Sequence, residues 1–205
     1  PENAQGAPVL VWFHGGAFFL GAGSLGSYDG TANAQQGVIT VSVNYRLGAL
    51  ANFVHPALDA QHPDEPQGNY ALQDAVAVLE WVRGNIAAFG GDAEQVTVAG
   101  QSAGGGIVVN LLSLPSAKGL FDKAIVESGS LLLPGRPREK AEENGLRRVH
   151  TAVSRECASA SRAVRMDTCW GIDWVSSGSR MANLARALGS PQAIFSCDPS
   201  RLMTA

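Results

Sequence analysis

Gly100-Gln101-Ser102-Ala103-Gly104 is the segment of this chain best equipped for chemistry. It follows directly on Val96-Thr97-Val98-Ala99, which reads as a strand, and runs into the helical pattern Ala103–Leu114. A serine hydroxyl is a weak nucleophile until a base takes its proton, and a G-x-S-x-G run at a strand-to-helix junction lifts such a hydroxyl clear of the backbone. The sharp turn strains the serine, the flanking glycines keep neighbouring side chains away, and the oxygen stands at the N-terminus of the next helix. Gly105 and Gly106 are expected to let that helix pack closely. Attack on a carbonyl also needs N–H donors where the oxyanion develops. His14-Gly15-Gly16-Ala17 follows an apolar run and offers unhindered backbone N–H groups, with Ala103 N–H as the natural third donor. A plain Gly-rich turn is the competing reading at each place.

These groups need a scaffold, and the hydrophobic pattern supplies one. Val9–Phe13 and Val38–Val43 read as short buried strands, the first apolar enough to be covered on both faces. Val96–Ala99 and Ala124–Val126 read as two more. From Asn69 the period changes: Leu72, Ala75, Val76, Leu79, Val82 and Ile86 recur at helical spacing until Phe89-Gly90-Gly91 stops the run. Strands alternating with helices predict an α/β fold, a mostly parallel sheet with flanking helices. With 205 residues, 45% of them apolar and 16% charged, the chain is long enough for one cored domain and too apolar for a disordered tail or coiled coil. A net charge of −3 gives no reason to expect nucleic acid or acidic membranes as partners. No run of 18 apolar residues is present to span a bilayer. Cys157, Cys169 and Cys197 are too few and too clustered for a disulfide framework, and they leave the compartment open.

Charge divides the chain unevenly. Residues 1–135 carry four basic and eleven acidic side chains (net −7), whereas residues 136–205 carry eleven and seven (net +4). Nine basic residues fall between Arg136 and Arg180, a stretch without a clear strand or long amphipathic pattern, and a helical pattern resumes at Met181–Leu188. Residues 136–180 therefore read either as a basic surface insertion or as out-of-frame translation.

Taken in order, the motifs resemble the type-B carboxylesterase/lipase family, its para-nitrobenzyl esterase-like branch in particular. The matching residues are His14 to Gly23, Asn44-Tyr45-Arg46-Leu47-Gly48, Gly68-Asn69-Tyr70 with Asp74, Phe89-Gly90-Gly91-Asp92, Gly100 to Gly105, Gly119 to Ala124, and Glu127-Ser128-Gly129. The resemblance runs from Pro8 to about Pro134 and implies an α/β-hydrolase fold acting on small-molecule carboxylic esters. It implies Ser102 as nucleophile and Gly16, Ala17 and Ala103 as the oxyanion hole. Ser128, His14 and Gln101 are implied as supporting groups, while Asn44-Tyr45-Arg46 receives no chemistry. Ala17 stands where a third glycine is commoner, and its N–H survives. Phe18 and Phe19 either line the pocket or pack in the core.

The triad's other members do not stand out. In this fold the order is serine, acid, histidine, and the family places the last two beyond residue 205. His150 is the sole histidine after Ser102 and reads as an exposed loop residue, as His55 and His62 read as surface residues; Glu156 and Asp173 lack a supporting pattern. The chain, which begins at Pro1, is thus expected to be a partial domain, incomplete at both ends. No metal-ligand spacing occurs, and triad hydrolysis needs no cofactor. The rival readings are a non-catalytic, cholinesterase-like adhesion protein and a catalytically incomplete remnant.

Overall fold

The apolar runs form four strands: β1 (Ala7–Phe13), β2 (Ile39–Val43), β3 (Gly91–Gln101) and β4 (Lys123–Glu127). The computed structural model describes residues 1–129 and 137–167, with side chains as far as Arg155. Its helices are α1 (Thr31–Gln35), α2 (Ala49–Asn52), α3 (Pro56–Gln61), α4 (Tyr70–Asn85), α5 (Ala103–Ser113) and α6 (Arg138–Asp167). None is long and apolar enough to cross a membrane.

Two compact units divide the chain. The first, residues 1–53 and 67–137, contains the sheet. Its strands are all parallel, in the order β2-β1-β3-β4. The chain leaves β1 for the edge strand β2, returns past β1 to β3, and moves outward to β4. Connections from β1 and β3 therefore depart in opposite directions, and a crevice opens at the carboxyl ends of such neighbours. This topology fixes where a site belongs before any side chain is considered.

Register places Val9 beside Val96 and Val11 beside Val98. These four and Phe13 are fully buried and pack in one cluster with Leu79 and Val82 of α4 and Ile107, Val108 and Leu111 of α5. Full burial of a leucine such as Leu79 contributes about 2 kcal/mol. The other face of β1 is less covered than its apolar run suggested, since Leu10 and Trp12 are only half-buried. Strand β3 starts earlier than expected because Gly91 pairs with Ala7 despite the polar Asp92, Glu94 and Gln95 that follow. Helix α4 buries Ala71, Ala75, Leu79 and Val82 on its inner face, and Ile86 is buried in the short 3-10 turn that follows.

The second unit joins residues 54–66 to the chain from Arg138 onward. Pro56 opens α3, and the His55 imidazole caps it by accepting the Ala57 N–H at 3.1 Å. Within 136–180, residues 138–167 form α6, a helix that no long amphipathic pattern announced. Charged pairs at helical spacing, Arg138 with Glu142 and Lys140 with Glu143, support it where apolar periodicity is weak. Arg138 also pairs with Asp59, and Gly145 lies so close to Val54 that a Cβ would come within 1.8 Å of its carbonyl oxygen. His150 is exposed on this helix rather than in a loop. Arg136, Asp173 and the run Met181–Leu188 lie outside the described residues.

Candidate active site

The His14 loop and the Ser102 elbow leave the carboxyl ends of adjacent strands, Phe13 being paired in register with Gly100. They meet backbone to backbone. A Cβ on Gly104 would fall 1.9 Å from the Phe13 carbonyl oxygen and 2.7 Å from that of His14. A Cβ on Gly15 would fall 2.3 Å from Gln101 Oε1, so the Gln101 side chain packs directly on the loop. A side chain at Gly104 would push the two segments apart, whereas one at Gly15 would displace the Gln101 side chain.

Ser102 sits at φ 53°, ψ −114°, a conformation that costs a non-glycine residue about 1–3 kcal/mol and persists only where its surroundings impose it. Two hydrogen bonds do so here. The Ser102 N–H donates to the Glu127 carbonyl at the end of β4, and the Ser102 carbonyl accepts the Gly106 N–H in the first turn of α5, both at 2.8 Å. The serine is half-buried, with its oxygen at the head of α5. Gly105 is needed for close packing, since a Cβ there would lie 2.9 Å from Gly129 Cα. Gly106 is not: a Cβ there would meet only Phe18 Cζ, at an ordinary 3.9 Å.

The loop after His14 winds with the opposite hand to an ordinary helix. Gly16, Ala17 and Phe18 have φ of 119°, 54° and 60°, and the N–H groups of Phe19 and Leu20 both return to the Gly16 carbonyl, at 2.9 and 3.0 Å. The first N–H groups of such a turn have no partner within it. Among the described residues, those of Gly16 and Ala17 donate to no backbone acceptor. Ala103, as the first residue of α5, likewise lacks an acceptor in its own helix. Phe18 packs against the core, whereas Phe19 is 74% exposed.

His14 is buried and turned into the protein. Its Nδ1 lies 2.6 Å from the Gly15 carbonyl oxygen. Since a carbonyl only accepts, Nδ1 carries the proton and Nε2 the lone pair. The imidazole stacks on Tyr45, with centroids 4.5 Å apart and planes at 15°. Tyr45 in turn donates its phenolic proton to the His14 carbonyl at 2.6 Å. Burial, helped by the neighbouring Tyr28, pushes the Tyr45 phenol up to about 12. Neither Tyr45 nor Asn44, whose Oδ1 accepts the Gly23 N–H at 2.8 Å, was assigned a role from the sequence. Their signal was position alone: both directly follow β2. Arg46 makes a bidentate pair with Asp74 on α4 and lies over the Tyr70 ring. Ser128, at φ 53°, is exposed directly after Glu127. Among the described residues no histidine side chain is hydrogen-bonded to Ser102.

A family model described as "Carboxylesterase family" matches residues 1–170. The fumonisin B1 esterase of Sphingopyxis macrogoltabida is 44% identical over 141 residues, 69% of this chain and 26% of that protein. The para-nitrobenzyl esterase of Bacillus subtilis is 53% identical over 129 residues, 62% of this chain and 25% of that one. Among solved structures, a carboxylesterase of Geobacillus stearothermophilus superposes with a TM-score of 0.64 at 42% identity, covering 76% of this chain and 33% of its own. The chain thus spans about a quarter of the length of these curated relatives. With the parallel sheet, the elbow and the left-handed loop in place, the chain belongs to the carboxylesterase family and has its α/β-hydrolase fold.

Proposed function

We propose that this chain carries the nucleophile and oxyanion hole of a serine esterase acting on small-molecule carboxylic esters. One observation carries the reading: a strained, half-buried Ser102 lies in an elbow packed on a loop with free N–H groups, where the sheet order reverses. In this mechanism Ser102 Oγ attacks the ester carbonyl while its proton passes to a histidine held by a carboxylate. The tetrahedral oxyanion rests on the N–H groups of Gly16, Ala17 and Ala103. Collapse expels the alcohol, leaving an acyl-serine that water hydrolyses by the same route. His14 is unsuited to be the base because it is buried, packed on Tyr45, and makes no hydrogen bond to Ser102. In this fold the acid and the histidine follow the nucleophile in chain order.

The match of the family model as far as residue 170 favours genuine protein sequence for most of 136–180. Sequencing the coding DNA across that stretch decides between an insertion and a frameshift.

Labelling of the full-length protein by a fluorophosphonate tests the mechanism, because only an activated serine reacts quickly. The expected result is labelling of the parent at Ser102 and none of Ser102→Ala, with loss of p-nitrophenyl ester turnover. Ser102→Ala turnover within about threefold of the parent removes Ser102 from the mechanism.

A further inference from the structure

A hydrogen bond to the carbonyl of a trans peptide also fixes the N–H at its opposite side, because the unit is planar. The peptide bearing the Gly16 N–H has the Gly15 carbonyl, which accepts His14 Nδ1–H at 2.6 Å. The peptide bearing the Ala17 N–H has the Gly16 carbonyl, which accepts from Phe19 and Leu20. Both oxyanion donors are thus aimed from behind, and the first depends on the orientation of the His14 ring.

That ring is held by Tyr45. The two rings stack at 4.5 Å, and the Tyr45 hydroxyl donates to the His14 carbonyl at 2.6 Å. The same five-residue segment grips the loop twice more: the Gly48 N–H donates to the Phe18 carbonyl at 2.7 Å, and Asn44 Oδ1 accepts the Gly23 N–H. The grips fall at the start, middle and end of residues 14–23, and the Arg46–Asp74 pair anchors the segment to α4. We propose that Tyr45, at the centre of the Asn44–Gly48 clamp, is a positioning residue of the esterase reaction, acting through His14 on the Gly16 N–H. This rests on the serine-esterase reading above. Tyr45 touches no reacting atom in this scheme, so its effect belongs in kcat and in binding of the tetrahedral state, with little in KM.

The test uses full-length Tyr45→Phe, which keeps the stacked ring and removes the O–H. On a p-nitrophenyl ester, kcat is expected to fall about tenfold or more with KM within about twofold, since small displacements of a reacting geometry are costly. The inhibition constant of a trifluoromethyl ketone, which forms a tetrahedral adduct with an active serine, should rise by the same factor. A folded Tyr45→Phe with kcat within about twofold of the parent, whatever its melting temperature, overturns the proposal. If that variant does not fold, Asn44→Ala is read in the same way. It should lose about threefold or more in kcat at unchanged KM, and parental kcat overturns the proposal. Ser102→Ala in the same assay separates the two claims: if it retains turnover, the esterase reading falls and the clamp with it, whereas an inactive Ser102→Ala beside a fully active Tyr45→Phe removes the clamp alone.

Discussion

The backbone N–H of Ser102 donates to the carbonyl of Glu127 across the end of the sheet, at 2.8 Å, and this bond ties the strained elbow to β4. The fold supplies the energy that keeps Ser102 at φ 53°. Ser102→Gly should relax that strain whereas Ser102→Ala should not, so the glycine variant is expected to be about 1 kcal/mol more stable than the alanine variant. Urea unfolding of the two inactive proteins measures the difference, and equal midpoints would show that the elbow is unstrained.

Gly104 and Gly106 lie in one helical turn and should respond in opposite ways. Gly104→Ala forces a methyl group to within 1.9 Å of the Phe13 carbonyl oxygen. Its expected cost is about 3 kcal/mol, with loss of fluorophosphonate labelling. Gly106→Ala meets nothing nearer than 3.9 Å and should gain about 0.5–1 kcal/mol from helix propensity. Thermal melts and labelling of the pair provide the check.

Within the loop proposed to hold the oxyanion, Gly16→Ala combines φ 119° with a contact of 1.9 Å to the Leu20 carbonyl oxygen. Turnover should drop by about a hundredfold or more as the loop is displaced. Ala17→Gly keeps the N–H and relieves a residue at φ 54°, so kcat should stay within about threefold while stability rises by a few tenths of a kcal/mol, roughly. A large loss in Ala17→Gly would mean that the Ala17 methyl group itself contacts substrate.

Tyr45 makes an alkaline prediction. Its phenol is pushed from 10.0 to about 12 in the folded protein, so between pH 10 and 12 the folded chain keeps a proton that the unfolded chain has lost. Unfolding then releases that proton, and stability falls as pH rises through this window. The stability lost through Tyr45 should total about 3 kcal/mol at most. Comparing urea midpoints of the parent and Tyr45→Phe from pH 9 to 12 isolates it, and parallel curves would contradict a buried, protonated phenol.

The strands, α4, α5 and the elbow were legible because each is encoded locally. Val9–Phe13 is a continuous apolar run, Val96–Ala99 is broken only by Thr97, α4 repeats at helical spacing, and Ser102 falls between a strand and a helix. The role of Tyr45 was not legible, since its partner His14 lies 31 residues away and only the pairing of β1 with β2 brings them together. Helix α6 was missed because charge pairs rather than an apolar stripe support it. The early start of β3 was hidden by Asp92, Glu94 and Gln95, which fall in the register shift between the Ala7–Gly91 and Val9–Val96 pairs.

The turn at Gly16-Ala17-Phe18 carries one further consequence, which concerns chirality. Ala17 and Phe18 occupy the region that is natural to D-amino acids. A D-alanine introduced at position 17 by chemical ligation would sit there without strain and keep its N–H in place. The loop after His14 is in this sense a short mirror-image segment set in an L-protein, tolerating inversion at Ala17 better than an ordinary change of side chain at Gly16.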